Sequence, residues 1–195
     1  MYLTTEGETY LVVKLDNPIL QGQTRYDSMV FSLDKKDIEV SAKDKRLKDY
    51  YTGTQDEVVV EIFEKMLGVE ARQAMFFVKC NNKVNNGVLF FMESGLQFLT
   101  KNMYVEKRNI VLVEFQRLNV PAIQARTFDM SVHADKVYTF SSISKDVFPS
   151  IEDYFGKDGI KMVSEVMEEY SEPSNEESED DSNLSDIIAD TDEDD

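Results

Sequence analysis

Tryptophan is absent from this 195-residue chain, cysteine and histidine occur once each, and proline occurs only four times. The single Cys80 excludes an intramolecular disulfide and fits a reducing compartment. With one cysteine and one histidine, His133, there is no Cys/His metal spacing, and no P-loop, GxGxxG or HExxH stands in for it. A Cys80–His133 pair is the only thiol–imidazole dyad on offer. Its default reading is a buried strand cysteine and a surface histidine. No apolar run approaches the ~20 residues of a membrane-spanning helix, and no signal-peptide pattern opens the chain. The expectation is a non-enzymatic protein with no catalytic residues, no metal and no cofactor.

The sharpest absence is of positive charge at one end. Residues Ser164 to Asp195 hold fifteen Asp or Glu and not one Lys or Arg. The whole chain has 38 acidic and 21 basic side chains, so residues 1–163 carry 23 acids against all 21 cations. Nearly all of the net charge of −17 therefore lies in one terminal block beside a near-neutral body. Such a block, read as a largely disordered tail, repels DNA and acidic membranes. Its natural partners are strongly basic, and histones are the obvious ones. The one basic cluster of the body, Lys43, Lys45, Arg46 and Lys48, is interrupted by Asp44 and reads as a solvated loop.

What remains is rich in short strands. Thr9–Leu15 and Ser28–Leu33 read as strands, with a loop from Asp16 to Thr24 marked by Asn17-Pro18 and Gly22. Thr54 to Gly68 reads as a helix. Val58, Val59, Ile62, Phe63, Met66 and Leu67 make one apolar stripe, Thr54 and Glu57 form a capping box, and Gly68 stops it. Further strands are expected at 74–80, 88–91, 96–100, 110–115, 127–132 and 137–140. A helix capped by Ser144 and ending near Gly156 follows, with a bend or a later start forced by Pro149. Strands–helix repeated twice is the grammar of a pleckstrin-homology (PH) module. The predicted class is mainly β with two α-helices and an acidic tail over 164–195.

The residues of the first loop are more specific than the pattern. LDNPILQGQTRY, Leu15 to Tyr26, with Gln21, Gly22, Gln23, Thr24, Arg25 and Tyr26 as its signature, resembles a loop in the smaller subunit of FACT, a histone chaperone that facilitates chromatin transcription. VKCNNKVNNGVLFFMESG (78–95), RTFDMSV (126–132) and YTFSSI (138–143) resemble later family segments in the same order. Asn17, where the family has a second Pro, and Ser94, near a family basic residue, depart from it. The resemblance implies tandem PH-like modules over 1–70 and 71–163, the first incomplete and the second complete. The same resemblance implies a non-covalent chaperone of the nucleus and chromatin that binds core histones and assists nucleosome disassembly and reassembly in transcription and replication. It implies the large FACT subunit as a partner, although the family's N-terminal pairing domain and opening strands have no counterpart here, as in an N-terminally truncated form. Contact with nucleosomal DNA should be weak or indirect. One rival is another tandem-PH histone chaperone, against which QGQTRY argues. The other is a phosphoinositide-binding adaptor, for which the Asn81–Gly87 loop offers only Lys83.

Charge alone does not let the tail compete with DNA. Duplex DNA carries one charge per roughly 1.7 Å, whereas the extended tail carries about one per 7 Å at ~3.4 Å per residue. Apolar anchors are therefore expected. Tyr170, set among Glu168, Glu169 and Glu172, is one candidate; Leu184, Ile187 and Ile188, spaced i, i+3, i+4, are another. Tyr170 has a competing reading, since Ile160, Val163, Met167 and Tyr170 also fall at the spacing of a helical turn packed on the body. Ser174, Ser178 and Thr191 each stand three residues before an acid, as acid-directed phosphorylation requires.

Overall fold

Alternation of apolar side chains builds the first module of the computed structural model, which describes residues 1–165. Strands β1 (Tyr2–Thr4), β2 (Thr9–Gln21) and β3 (Thr24–Leu33) form an antiparallel sheet in that order. Successive residues of β2 face opposite sides, so Leu11 and Val12 are both buried, in different places. A two-stranded ribbon, β4 (Asp37–Ser41) with β5 (Tyr50–Thr54), leads into α1 (Gln55–Leu67), which packs on β5, β4 and β2. Phe31 of β3 meets Phe63 of α1 with ring centroids 5.6 Å apart. Of the helix's apolar stripe only Val58 is fully buried, while Met66 and Leu67 stay exposed.

Two local expectations for this module are corrected. The segment Asp16–Thr24 is not a loop: β2 runs through Asn17-Pro18 to Gln21, and the chain turns only at Gly22-Gln23. The register breaks between Lys14 and Ile19. Pro18 sits inside that bulge, where its missing N–H costs no ladder bond. The capping box also does not form. Thr54 is the N-cap residue, but its hydroxyl donates to the Asp56 carboxylate instead of accepting from a backbone N–H. Burial pushes the Asp56 carboxyl up, yet hydrogen bonds from Thr54 and from the Tyr2 hydroxyl, at 2.9 Å, hold it below its ordinary range. Gly68, at φ +66°, ends the helix as its composition predicts.

The second module is built from β6 (Ala74–Asn82), β7 (Asn85–Met92), β8 (Gly95–Leu99), β9 (Met103–Glu106), β10 (Leu112–Gln116), β11 (Thr127–His133) and β12 (Val137–Ser144). They are followed by α2 (Phe148–Gly156) and a last strand, β13 (Lys161–Ser164). The sheet order is β13-β10-β11-β12-β6-β7-β8-β9, with β12 joined to β6 at Ser141 and Asn81. Every strand from β6 to β12 sends side chains into one interior, among them Val78, Leu89, Phe91, Phe98, Val105, Phe115, Met130 and Phe140. From α2, Ile151, Tyr154 and Phe155 enter the same core. The Tyr154 hydroxyl donates to the Met92 carbonyl at 2.8 Å, pinning the helix to the end of β7. Ser144 caps a 3₁₀ turn, Lys145–Val147, by accepting from the Asp146 N–H. The α-helix starts only at Phe148, which leaves Pro149 in the first turn, where no backbone donor is needed.

Strand β7 joins the modules because it is buried on both faces. Leu89 and Phe91 point into the barrel. Phe90 and Met92 point out, into a second cluster with Leu99 of β8 and Leu3 and Val12 of the first module. Cross-strand register aligns Phe77, Phe90, Gln97 and Tyr104 in one row across β6 to β9. The β1–β3 sheet lies over that row. Backbone bonding between Tyr2 and the Arg72–Gln73 linker continues the contact.

Candidate functional site

The signature residues occupy the tip of the β2–β3 hairpin. Gln21 pairs with Thr24, Leu20 with Arg25 and Ile19 with Tyr26. Gly22 supplies the positive φ, +61°, that a two-residue turn of this kind requires. Ile19, Leu20 and Tyr26 are 48%, 72% and 43% exposed, an aliphatic and aromatic tip on an otherwise polar finger. Arg25 is oriented by its own strand, its Nε donating to Asp27 Oδ1 at 2.8 Å. At the base, Asn102 of the second module donates to Ser28 Oγ at 2.8 Å, and Lys14 pairs with Glu106 at 3.7 Å. The finger's direction is thereby fixed to the barrel. Sequence reasoning found these residues but not the rigid stem, because no local signal announces an inter-module contact.

A groove of about 1010 Å³ runs between the modules beside this junction, lined by Lys14, Arg72, Glu93, Tyr104, Glu106 and Lys107 among others. Its charges largely satisfy one another. Arg108 pairs with Glu106 at 2.7 Å, and the Lys107 ammonium pairs with Asp158 while lying 3.8 Å from the Tyr154 ring centroid. Of the cations scattered over the second module, Lys107, Arg108 and Arg117 are thus committed to Asp158, Glu106 and Asp129. Lys101 and Arg126 have no ion pair among the described residues.

Among the described residues Cys80 and His133 stand apart. Cys80 is 4% exposed, and burial pushes its thiol up to about 12, so it holds its proton at neutral pH. His133 lies two strands away on β11, with Nε2 2.9 Å from Glu114 Oε2 on β10. Among the described residues no cluster of three His, Cys, Asp or Glu could hold a metal ion. The turn at Lys83-Val84, where a phosphoinositide would dock, presents one cation beside a 92%-exposed valine. No described helix is long and apolar enough to cross a membrane.

The root of the acidic segment is built into the sheet. β13 pairs in parallel with β10, Leu112 to Lys161 through Phe115 to Ser164. Glu165 then donates its N–H to the Phe115 carbonyl at 3.1 Å, and its own carbonyl accepts from Asn119 Nδ2 at 2.8 Å. Ile160 and Met162 pack on the barrel core while Val163 is exposed. That two-residue alternation replaces the helical turn through Ile160 and Val163. The remaining tail candidates, Glu168, Glu169, Tyr170, Glu172, Leu184, Ile187 and Ile188, and the three acid-directed hydroxyl sites, lie outside the described residues.

The two modules match two known families in chain order. Residues 2–73 match the SSRP1 PH domain, and residues 76–164 match the family described as histone chaperone Rttp106-like, middle domain. The FACT complex subunit POB3 of Yarrowia lipolytica is 31% identical over 182 residues, 82% of this chain and 34% of that protein. The Aspergillus fumigatus subunit pob3 is 30% identical over 85% of this chain and 33% of its own length. The Caenorhabditis elegans subunit ssrp1-B is 30% identical over 80% of this chain and 25% of its own. The chain thus spans a quarter to a third of the relatives it matches. With both modules matched in chain order and relatives about 30% identical over four fifths of its length, the chain belongs to the family of the smaller FACT subunit.

Proposed function

We propose that this chain is the tandem-PH body and acidic arm of a FACT-type histone chaperone, binding core histones non-covalently while nucleosomes are taken apart and rebuilt. The observation that carries the reading is the division of charge: about −15 in a segment rooted on the outermost strand of a near-neutral body. The names of the relatives, FACT complex subunits in fungi and a nematode, support it and favour a nuclear, chromatin-associated setting with other FACT subunits as partners. Bare duplex DNA is a poor partner, since no strongly basic tract is present and nine of the 21 cations are already in ion pairs among the described residues. Tyr170 and the Leu184, Ile187, Ile188 patch serve as apolar anchors that let a dilute polyanion hold histone surface.

The test compares the whole chain with residues 1–165, which keep β13 intact, for binding to core histones between 50 and 500 mM salt, a range of about 14 to 4 Å in Debye length. The whole chain should bind tightly at low salt and weaken as salt rises, and the shortened chain should lose most of that affinity. Equal binding by the two would clear the acidic segment of its role. Tyr170→Ala should cost more than Glu169→Gln, because a buried aromatic anchor is typically worth about 2 kcal/mol or more and a single exposed carboxylate well under 1.

A further inference from the structure

Hydrogen bonding in the first sheet fixes which way the main chain of β3 points. The Met1 ammonium donates to the Val12 carbonyl at 2.7 Å, and the Val12 N–H donates to the Met1 carbonyl at 2.8 Å. Both main-chain groups of Val12 therefore face β1. Val30 lies opposite Val12, so its own N–H and C=O face away from β2. Ser28 and Ser32, two residues to either side, point the same way. The Ser28 carbonyl accordingly accepts from Asn102 Nδ2, at 3.3 Å, on that outer side. Beyond this bond, the N–H of Ser28 and both main-chain groups of Val30 and Ser32 have no partner among the described residues. Strand β4 follows after residues 34–36 but pairs with β5, not with β3.

Natural sheets blunt a free edge with charge, proline or a bulge. Ser28-Met29-Val30-Phe31-Ser32 has no charge and no proline, and its register with β2 is unbroken. The five residues also read alike in both directions, with a serine at each end, a large apolar residue next to it and Val30 at the centre. A twofold axis at Val30 sets Val30 opposite Val30 of a second copy, Ser28 opposite Ser32 and Met29 opposite Phe31. Every outward main-chain group of the five then has a partner, the Ser28 carbonyl using its second lone pair. A groove of about 780 Å³ opens along this edge, between Tyr10 and Val30 of one module and Lys79, Val88 and Leu99 of the other, and leaves space for an incoming strand. The pairing stops where Arg25 would fall opposite Lys35, two like charges.

We propose that two copies of this chain associate edge to edge through Ser28–Ser32 of β3, antiparallel about Val30, joining two three-stranded sheets into one. The contact is smaller than the ~1,200 Å² of a stable complex, so the dimer is transient, with a dissociation constant on the order of 100 µM. Each copy carries a net charge of −17, so association works against repulsion and strengthens as salt rises. The pairing does not depend on the histone reading above.

Sedimentation of the full chain tests it. The average mass should rise towards that of a dimer between about 5 and 500 µM, and more at 0.5 M salt than at 0.1 M. Val30→Lys sets two like charges opposite each other and should weaken association about tenfold without moving the melting temperature. Val84→Lys, at an exposed turn of the second module, should leave association unchanged. Disulfide capture reads the register, because directly opposed residues have Cα atoms ~4.5–5.5 Å apart, and native Cys80 is buried and does not compete. On oxidation Val30→Cys should give a crosslinked dimer, Ser28→Cys alone none, and Ser28→Cys mixed with Ser32→Cys one. A chain that sediments as a monomer up to about 500 µM overturns the pairing. Association undiminished by Val30→Lys, or Ser28→Cys crosslinking to itself as fast as Val30→Cys, overturns it equally.

Discussion

Phe90 and Phe91 are neighbours on one strand that serve different cores, and truncating each should produce different failures. Phe90 is fully buried between the modules, among Leu3, Val12, Met92 and Leu99, with its ring 5.9 Å from that of Phe77. Removing a buried phenyl group loses its transfer free energy and leaves a cavity, together about 3–5 kcal/mol. In Phe90→Ala that loss falls on the contact between the β1–β3 sheet and the barrel. The small first module, with α1 only partly buried, has little else to hold it. Native-state hydrogen exchange should therefore show the amides of β1, β2 and β3 losing protection by most of that amount, while β10, β11 and β12 keep theirs. Phe91→Ala, whose ring stacks at 4.4 Å on Phe76 and meets Tyr154 at 5.0 Å inside the barrel, should lower protection throughout β6 to β12. If Phe90→Ala left the first sheet as protected as in the parent, or if the two variants gave one pattern, the double-faced reading of β7 would be wrong.

Gly87 is required by packing rather than by backbone angle. A Cβ there would lie 2.2 Å from the Leu99 carbonyl oxygen and 2.6 Å from the Phe98 ring, so Gly87→Ala must displace β8 and should cost on the order of 1–3 kcal/mol or more in a melt. Gly7→Ala, with nothing within 4 Å, should stay within about 0.5 kcal/mol and serves as the control. The Cys80 thiol, raised from 9.0 to about 12 by burial, binds its proton more tightly folded than unfolded. Its contribution is complete below pH 9 and is lost as pH rises towards 12, at most about 4 kcal/mol. Urea titrations of Cys80→Ala should show a shallower alkaline decline than the parent; an identical slope would refute this.

Much of the second module is legible because its strands meet water or neighbouring loops at their ends, so apolar runs and turn residues bracket them. Two strands escape. MYVE (β9) and KMVS (β13) are four residues each and carry too little pattern to stand out. In β13 the fold moreover breaks its own rule, adding a parallel strand after the closing helix. The apolar run GVLFFM gives a strand but not its two-sided burial, since a sequence cannot say what covers the outer face. In the first module the signals Asn17-Pro18 and Gly22 are genuine, yet a bulge absorbs the proline and only the glycine turns the chain. The Thr54 hydroxyl was claimed by a carboxylate two residues on, a competition that spacing rules do not weigh. The finger is readable as residues, whereas its orientation depends on Asn102 and Glu106, more than seventy residues distant.

The parallel seam between β13 and β10 has a mechanical consequence. A partner that grips the acidic segment transmits any pull to the body through Ser164 and Glu165, so the first bonds under load are those to Phe115, Asn119 and the four-residue ladder behind them. That ladder is shorter than any other seam of the barrel except the single Ser141–Asn81 bridge and the equally short β8–β9 pairing. Once it parts, the residues after α2, 157–165, add about 30 Å at ~3.3 Å per residue to the reach of the acidic segment. The edge of β10 is bared at the same moment and becomes available to another strand. The body thus yields in a fixed order under tension, giving up reach before it gives up its core.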